Sequence, residues 1–144
     1  MMSAEKTKEV VARMFELGNA KDVDAYIDML HQDFVNHTPP PGVPGNREGY
    51  RQVYSMYVNA MPDFHIKVED MFAQGDKCVT RWKATGTHQG ELMGIPATGN
   101  EITTTGITIN RVKNGKIIEQ CEIADTAGMM EQLGVMSAQE EPAG

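Results

Sequence analysis

Three carboxylates spaced three residues apart are the side chains of this chain best suited to acid–base chemistry. They are Glu119, Glu122 and Asp125, in and just after the predicted strand 116–125. Side chains alternate between the two faces of a strand, so Glu122 lies on the opposite face from Glu119 and shares a face with Gln120. Burial on an apolar concave face raises the pKa of a carboxyl group, which can then take a proton from a carbon next to a carbonyl. We expect Glu122 to be this base; a solvated sheet face is the alternative.

Asp125 and His88 are the other candidate acids or bases. Asp125 stands where the N-cap of a closing helix belongs, so capping explains it as well as catalysis does. His88 follows Gly86-Thr87 at the end of a predicted strand. It could act as a general acid or hydrogen-bond donor near a pocket mouth, or it could bond to the backbone of its own loop.

Further polar and aromatic residues are candidates for ligand binding. Asn36 and His37 end a short predicted strand beside the loop 38–45, which holds four prolines in eight positions. Prolines restrict the backbone, so this pair either contacts a ligand beside a rigid loop or closes a turn. Trp82 is expected in the core or in a pocket wall.

The composition excludes several classes of function. The 144 residues carry a net charge of −7 and no run of Lys or Arg, so neither nucleic acid nor an anionic membrane is an expected partner. No apolar stretch approaches the roughly 20 residues of a membrane span, and the N-terminus lacks the apolar core of a signal peptide. A cytoplasmic location is therefore expected. Phosphate-binding loops, metal-ligand spacings and nucleophile motifs are all missing, so we expect a reaction without metal or cofactor.

Periodicity predicts helices first and strands afterwards. Helices are predicted over 3–17, ended by Gly18, and then over 22–30, 46–60 and 126–133; strands are predicted over 34–37, 64–72, 78–87, 101–113 and 116–125. In the strand 64–72 the apolar face holds Phe64, Ile66, Val68 and Phe72. In the strand 101–113, Ile107 and Ile109 lie on one face and Thr104, Gly106, Thr108 and Asn110 on the other.

This order of elements is typical of an α+β fold. An antiparallel sheet with three helices on one face must curl around them, and the resulting concave mouth is where small-molecule sites lie. We expect one domain over residues 1–136, followed by a flexible tail over 137–144.

A series of short motifs runs through nearly the whole chain in a specific order. They are Asp33-Phe-Val-Asn-His37, Met61-Pro-Asp-Phe64, Glu69-Asp70 with Ala73-Gln-Gly-Asp76, Gly86-Thr-His-Gln-Gly90, Gly94-Ile-Pro-Ala-Thr-Gly99, Arg111 with Gly115-Lys-Ile-Ile-Glu119, and Asp125 with Gln132-Leu-Gly134. Together they resemble the SnoaL-like polyketide cyclase (ester cyclase) branch of the nuclear transport factor 2-like superfamily. The resemblance implies a cone-shaped α+β barrel, in which a curved antiparallel sheet wraps around three N-terminal helices. It also implies a homodimer, because many members pair through the sheet.

The resemblance further implies a chemistry. Cyclases of this type close a ring in an aromatic polyketide ester by intramolecular aldol condensation, without metal or cofactor. Their acid/base is an Asp on the last strand, three residues before the Asp-x-x-Gly that opens the final helix, and the matching position here is Glu122. The family's Gln and His on the preceding strand correspond to Gly106 and Thr108, of which Thr108 can still form hydrogen bonds.

Three functions are therefore open. The first is a cyclase-like enzyme acting on a hydrophobic carbonyl or ester substrate, with Glu122 as acid/base assisted by Asp125 and His88. The second is another proton-transfer enzyme, such as an isomerase, dehydratase or hydrolase. The third is a non-catalytic dimer that binds a small ligand. In the first, the residues expected to contact the substrate are Asn36, His37, Trp82, Thr108 and Gln120.

Overall fold

The computed structural model describes residues 3–134, which form four helices and one five-stranded sheet. The helices are α1 (Ala4–Ala20), α2 (Val23–Asp28), α3 (Arg47–Ala60) and α4 (Thr126–Gln132). The strands are β1 (Leu30–Asn36), β2 (His65–Gln74), β3 (Lys77–Thr87), β4 (Glu101–Lys113) and β5 (Lys116–Ala124). The tail expected over 137–144 lies outside the described residues.

The sheet has the strand order β1-β5-β4-β3-β2, and the helices α1, α2 and α3 pack with its inner face. The expected α+β architecture is confirmed. The sheet is mixed, however, because β1 pairs with β5 in parallel while the other pairs are antiparallel. No hairpin links β1 to β5, since α3 and three strands intervene along the chain. Nothing therefore forces that pair to be antiparallel.

The first helix runs past the glycine that was expected to end it. It continues to Ala20, and Lys21 takes the left-handed conformation with φ 61°. Gly18 instead serves packing, because a Cβ there would lie 3.0 Å from Cε1 of Tyr26. The hydroxyl of Tyr54 also donates to the Gly18 carbonyl at 2.6 Å. Close approach of two aromatic rings therefore explains this glycine.

The second helix is shorter than expected. It ends at Asp28, and Leu30 begins β1 rather than closing the helix. Leu30 is buried in either case, so its apolar side chain could not distinguish the two assignments.

A β-bulge changes which residues of β2 face the core. Val68 pairs with Trp82 and Asp70 with Arg81, so Glu69 is an extra residue in β2. One inserted residue exchanges the two faces beyond it. Met71 and Ala73 therefore pack against the core and Phe72 is 69 % exposed, so the prediction that Phe72 lies on the buried face was wrong.

The inner face of the central strands carries buried polar side chains. Thr80, Thr108, Asn110 and Gln120 are each at most 2 % exposed, whereas Ile107 and Ile109 point outward. On β4 the polar face is thus the one covered by the helices. Such groups need hydrogen-bond partners inside the molecule, and those partners define the site.

Candidate active site

Glu122 lies on the inner face of β5, in a row with Thr108 of β4 and Thr80 of β3. The Thr108 hydroxyl donates to Oε2 of Glu122 at 3.1 Å. The indole N–H of Trp82 donates to that same hydroxyl oxygen at 2.7 Å. Three residues predicted for the site are therefore joined in one hydrogen-bonded chain that runs from Trp82 through Thr108 to Glu122.

The carboxyl group of Glu122 sits where protein atoms crowd it but solvent still reaches it. Burial raises its pKa above 4.5, and the hydrogen bond from Thr108 acts in the opposite direction. The residue nevertheless has substantial solvent contact. A carboxyl group that is packed by protein atoms on one side and open to solvent on the other satisfies both observations, and it suits a group that must exchange protons with a bound molecule.

Tyrosines from two helices face the Glu122 carboxylate. Burial, and then the charge of Glu122, raise the pKa of Tyr50 to about 12 and also raise the pKa of Tyr57. Glu122 contributes in the same way to the raised pKa of Tyr26, after burial and the contacts of that ring with Tyr50. The carboxylate and the three phenols therefore lie close enough to influence one another electrostatically.

Tyr50 and Tyr57 were not predicted for the site from the sequence. A signal was present, because a spacing of seven residues places both on one face of α3. That face was interpreted as an apolar stripe.

Gln120 lies one row deeper than Glu122. Its amide nitrogen donates to Oδ1 of Asn110 at 2.8 Å, and its side chain lies near Tyr50, where it partly offsets the rise in the pKa of that phenol caused by burial. Tyr50 in turn lies 3.2 Å, oxygen to oxygen, from Tyr26. Gln120 thus belongs to a buried network beneath the carboxylate, which braces the floor of the site.

Asp125 is engaged as a helix cap. Its Oδ1 accepts from the Gly128 main-chain N–H at 2.9 Å at the start of α4. Its main-chain N–H donates to the Thr105 carbonyl at 2.9 Å, which ties the cap to β4. Both contacts are structural.

His88 is buried beneath the connection 90–100. Its Nδ1 accepts from the Thr98 main-chain N–H at 3.2 Å, so Nε2 carries the proton of the neutral ring. It follows Thr80 by eight residues along the chain, and Thr80 lies in the Glu122 row. About 26 Å of strand length therefore separates it from that row. The structure does not bring His88 to Glu122.

Asn36 and His37 make hydrogen bonds at the end of β1, beside the proline-rich loop. Oδ1 of Asn36 accepts from the Thr38 main-chain N–H at 3.0 Å and closes a turn. Nε2 of His37 lies 3.0 Å from Oε1 of Glu119, on the opposite sheet face from Glu122. The next residue, Thr38, was missed: its hydroxyl accepts from the Glu122 main-chain N–H at 2.9 Å. The proline-rich loop thus contacts the Glu122 strand directly.

Two further findings concern the part of the chain that the structure describes. No three His, Cys, Asp or Glu side chains in residues 3–134 are arranged to hold a metal ion. None of the helices in that range is long and apolar enough to cross a membrane.

A model of the family described as SnoaL-like polyketide cyclase matches residues 8–133. The chain belongs to this family.

Two curated relatives are methyl ester cyclases from Streptomyces. The chain is 26 % identical over 132 residues to aklanonic acid methyl ester cyclase DnrD of Streptomyces peucetius. The aligned region covers 88 % of this chain and 89 % of the relative. It is 27 % identical over 123 residues to nogalonic acid methyl ester cyclase of Streptomyces nogalater, covering 83 % and 89 %.

Solved structures agree with the SnoaL-like fold. IdmH of Streptomyces antibioticus, a candidate polyketide cyclase, superposes with a TM-score of 0.77 at 34 % identity, covering 90 % of this chain and 99 % of IdmH. AclR of Streptomyces galilaeus, a candidate hydroxylase, gives a TM-score of 0.85 at 23 % identity, covering 98 % of this chain and 87 % of AclR. At that identity AclR shows the fold alone.

This SnoaL-like chain fills the position of the family's expected Gln in another way. The indole of Trp82 lies against Gly106, where a Cβ would overlap Cζ2 of the ring and lie 2.8 Å from Cη2. A side chain at position 106 would therefore expel Trp82 from its place. At the next position on this face, where the resemblance implies His, the chain has Thr108, and the same indole donates a hydrogen bond to its hydroxyl.

Proposed function

We propose that the protein is a cyclase-type acid–base enzyme that closes a ring in a hydrophobic carbonyl or ester substrate, with Glu122 as the proton-transfer group. One observation carries the proposal: a crowded carboxyl group on the inner face of the sheet, with a pKa raised by burial and one oxygen held by Thr108. A base with a pKa moved toward neutrality is what proton transfer at a carbon next to a carbonyl requires.

The reaction balances without any further reagent. Glu122 takes a proton from the carbon next to one carbonyl, and the resulting carbanion forms a bond to the carbon of a second carbonyl. The π electrons of that carbonyl move to its oxygen, which takes the proton back from Glu122. The product is an isomer of the substrate, so no oxidant, reductant or cofactor enters the step.

The lining of the site supports an unsaturated, largely apolar substrate. Tyr50, Tyr57 and Trp82 offer aromatic surface close to the carboxylate. Flat rings stack well on such side chains. The two curated relatives are named for methyl esters of aklanonic and nogalonic acid, and this chain is proposed to take a related ester.

Proton transfer is assigned to Glu122 without help from the other two candidates. Asp125 is occupied as the cap of α4, and His88 is bonded to Thr98 at a distance from the carboxylate. Asn36 and His37 shape the rim through the Thr38 contact instead of reaching the carboxyl group.

The proposal is tested with the purified protein and either methyl ester in D₂O. Ring closure yields an isomer of the substrate that separates from it on chromatography. Any hydrogen of the reactive carbon that exchanges with the solvent before ring closure is seen as deuterium in the product. Glu122→Gln keeps the shape of the side chain and cannot take the proton, so we expect turnover to fall by roughly 10²–10⁴-fold. Unchanged turnover in this variant would remove Glu122 from the mechanism.

Another proton-transfer reaction is the second candidate, because this chain has Gly106 and Thr108 where the family resemblance implies Gln and His. Deuterium exchange into the recovered ester without ring closure would support an isomerase. Release of methanol would support a hydrolase. Binding of either ester with neither exchange nor conversion would indicate a ligand-binding module.

We also propose that two copies associate through the outer face of the sheet. Phe72, Val79, Ile109 and Cys121 form one row across β2 to β5, and Ile107 and Ile123 lie beside it. Ile123 is 80 % exposed, which is costly for a large apolar side chain in water. The row is flanked by the ion pair of Arg81 with Asp70 and by that of Arg111 with Asp76 and Glu119. Both flanks carry both signs of charge, so a second copy can approach without like-charge repulsion.

A further inference from the structure

We propose that Trp82 is a positioning residue of the Glu122 site. Its indole N–H fixes the Thr108 hydroxyl, so that the Thr108 proton points at Oε2 of Glu122 and Oε1 remains the oxygen that exchanges protons. The assignment of Oε1 rests on the proposed function. The Trp82–Thr108–Glu122 relay itself rests only on the geometry of the described residues.

The direction of the relay follows from the donors and acceptors present. An indole N–H can only donate, so the oxygen of Thr108 must accept at the 2.7 Å contact. A threonine hydroxyl has a single proton, and this proton is then left for Oε2 of Glu122 at 3.1 Å. The relay therefore has one polarity, and that polarity favours the ionised carboxylate.

The packing around the indole keeps that polarity in place. Trp82 is 8 % exposed and Thr108 is 2 % exposed, so water has little access to either group. The ring lies in the space that the missing side chain of Gly106 leaves, and a Cβ there would also lie 2.9 Å from the Ile123 carbonyl oxygen. Gly106, Trp82 and Thr108 thus form one unit, in which the glycine admits the ring and the ring orients the hydroxyl.

Loss of the indole N–H has a defined consequence. Without that donor the Thr108 hydroxyl can rotate, and it can accept a proton from a neutral Glu122 as readily as it donates to the ionised form. The bond that now lowers the pKa of Glu122 is then weakened, while burial still raises it. Removal of the indole N–H should therefore raise the pKa of Glu122 further.

Nuclear magnetic resonance tests the relay without any substrate. Trp82 is the single tryptophan, so its indole ¹H–¹⁵N signal is unique. We expect this signal to shift with pH at the same midpoint as the Glu122 side-chain carboxyl ¹³C signal. Within residues 3–134, Tyr26, Tyr50 and Tyr57 are the titratable groups whose pKa values the charge of Glu122 raises. Their pKa values are raised above 10, so they stay neutral over this range.

The variants divide the relay into its parts. Glu122→Gln should abolish the indole shift, and both Trp82→Phe and Thr108→Val should move the Glu122 midpoint upward. Thr108→Ser keeps the hydroxyl and should keep the original midpoint. Thr104→Val makes the same change on the same face of β4, two rows away from Glu122, and should also leave the midpoint unchanged.

Each result supports the relay or overturns it. An unchanged Glu122 midpoint in Thr108→Val, or an indole signal that ignores pH, would overturn it. If Trp82→Phe does not fold, the comparison of Thr108→Val with Thr108→Ser still decides. A relay that titrates as expected in a protein without cyclase activity would refute the proposed function and leave the relay standing.

Turnover gives a second readout once a substrate is in hand. Trp82→Phe should lower kcat by up to about tenfold, the value of one neutral hydrogen bond, with little change in KM. The acid limb of the pH profile should move upward with the Glu122 midpoint. A fall in kcat without that movement would indicate a merely structural role for Trp82.

Discussion

Glu122 stabilises the folded chain least at the pH where it would work. Its pKa is raised in the folded state, so the native protein binds the proton more tightly than the unfolded chain does. The contribution of Glu122 to the free energy of unfolding is then greatest below about 4.5 and is lost as the pH rises through the folded pKa. Glu122→Gln should therefore be more stable than the wild type at pH 7, with a difference that disappears near pH 4 in urea titrations.

Glu119 provides a control of opposite sign on the other face of β5. Hydrogen bonds from His37 and then from Arg111 lower its pKa, so its stabilisation is present above 4.5 and is lost as the pH falls. Glu119→Gln should lower the free energy of unfolding at pH 7 and have little effect in acid. The same sign for both variants would show that the two faces of β5 do not differ as described.

Asp125 allows capping and catalysis to be separated at a single residue. Asp125→Ala removes the acceptor for the Gly128 N–H and should lower the free energy of unfolding by about 0.5–2 kcal/mol. Asparagine caps equally well and cannot act as a base, so Asp125→Asn should retain both stability and turnover. Loss of turnover in a stable Asp125→Asn protein would assign Asp125 a chemical role after all.

Sequence alternation was sufficient to separate Glu119 from Glu122, because a strand has a fixed period of two. It could not find Tyr50, Tyr57 or Thr38 as neighbours of Glu122. Their proximity depends on how α3 and the proline-rich loop dock on the sheet, which is a tertiary property. For His88, proximity in sequence to a strand end was misleading, because that end lies away from the carboxylate row.

At the level of elements, the packing between β3 and β4 depends on the large side chain of Trp82 and on the absence of a side chain at Gly106. Gly106→Ala adds a methyl group that overlaps the Trp82 ring, so the ring or the strand must move. Overpacking of this kind costs about 1–3 kcal/mol. Thermal unfolding followed by the fluorescence of the single tryptophan should show a lower midpoint and an altered starting spectrum.

A matched variant distinguishes the local clash from a general loss of glycine. Gly94→Ala lies in the connection before β4, where a Cβ meets no atom within 4 Å but φ is 79°. It should cost stability through backbone strain and leave the native fluorescence spectrum unchanged. An altered spectrum in Gly94→Ala would argue against a specific fit between Gly106 and Trp82.

Helix starts were easier to predict than helix ends. Asp22 and Asn46 cap α2 and α3 as expected, because a short polar side chain before an apolar period has few other uses. The predicted end of α1 was wrong because Gly18 is needed for close packing against the Tyr26 ring and does not end the helix. The predicted face of Phe72 was wrong because the sequence gives no sign that Glu69 is a bulge residue.

On the scale of the whole molecule, the outer sheet face makes association testable. Ile123→Lys places a charge on the proposed apolar contact and removes no buried packing, so we expect a dimer to become a monomer in sedimentation velocity. Thr103→Lys lies on the outer face but away from the apolar row, and it should leave the mass unchanged. A wild-type protein that sediments as a monomer would contradict the proposed association.

The fold itself could be predicted because many weak signals agree over the full length. Helices followed by strands, Gly- and Pro-rich connections and the motif series all indicate the same curled sheet, and the family match confirms it. The parallel pairing of β1 with β5 could not be predicted, since β1 is a short strand whose partner lies about 80 residues later along the chain. Local patterns carry no record of so distant a neighbour.

The proline-rich loop at the rim has its ends fixed independently of its tip. Asn36 donates its main-chain N–H to the Gly45 carbonyl at 2.9 Å, and the tip turns at Gly42 in open space. The entropy of closing a loop whose ends are already joined grows only with the logarithm of its length, by about 0.6 kcal/mol per doubling. Eight residues inserted before Gly42 should therefore leave the fold nearly as stable in chemical denaturation. The rim beside Glu122 is accordingly a place where sequence can diversify, or be engineered, at little thermodynamic cost.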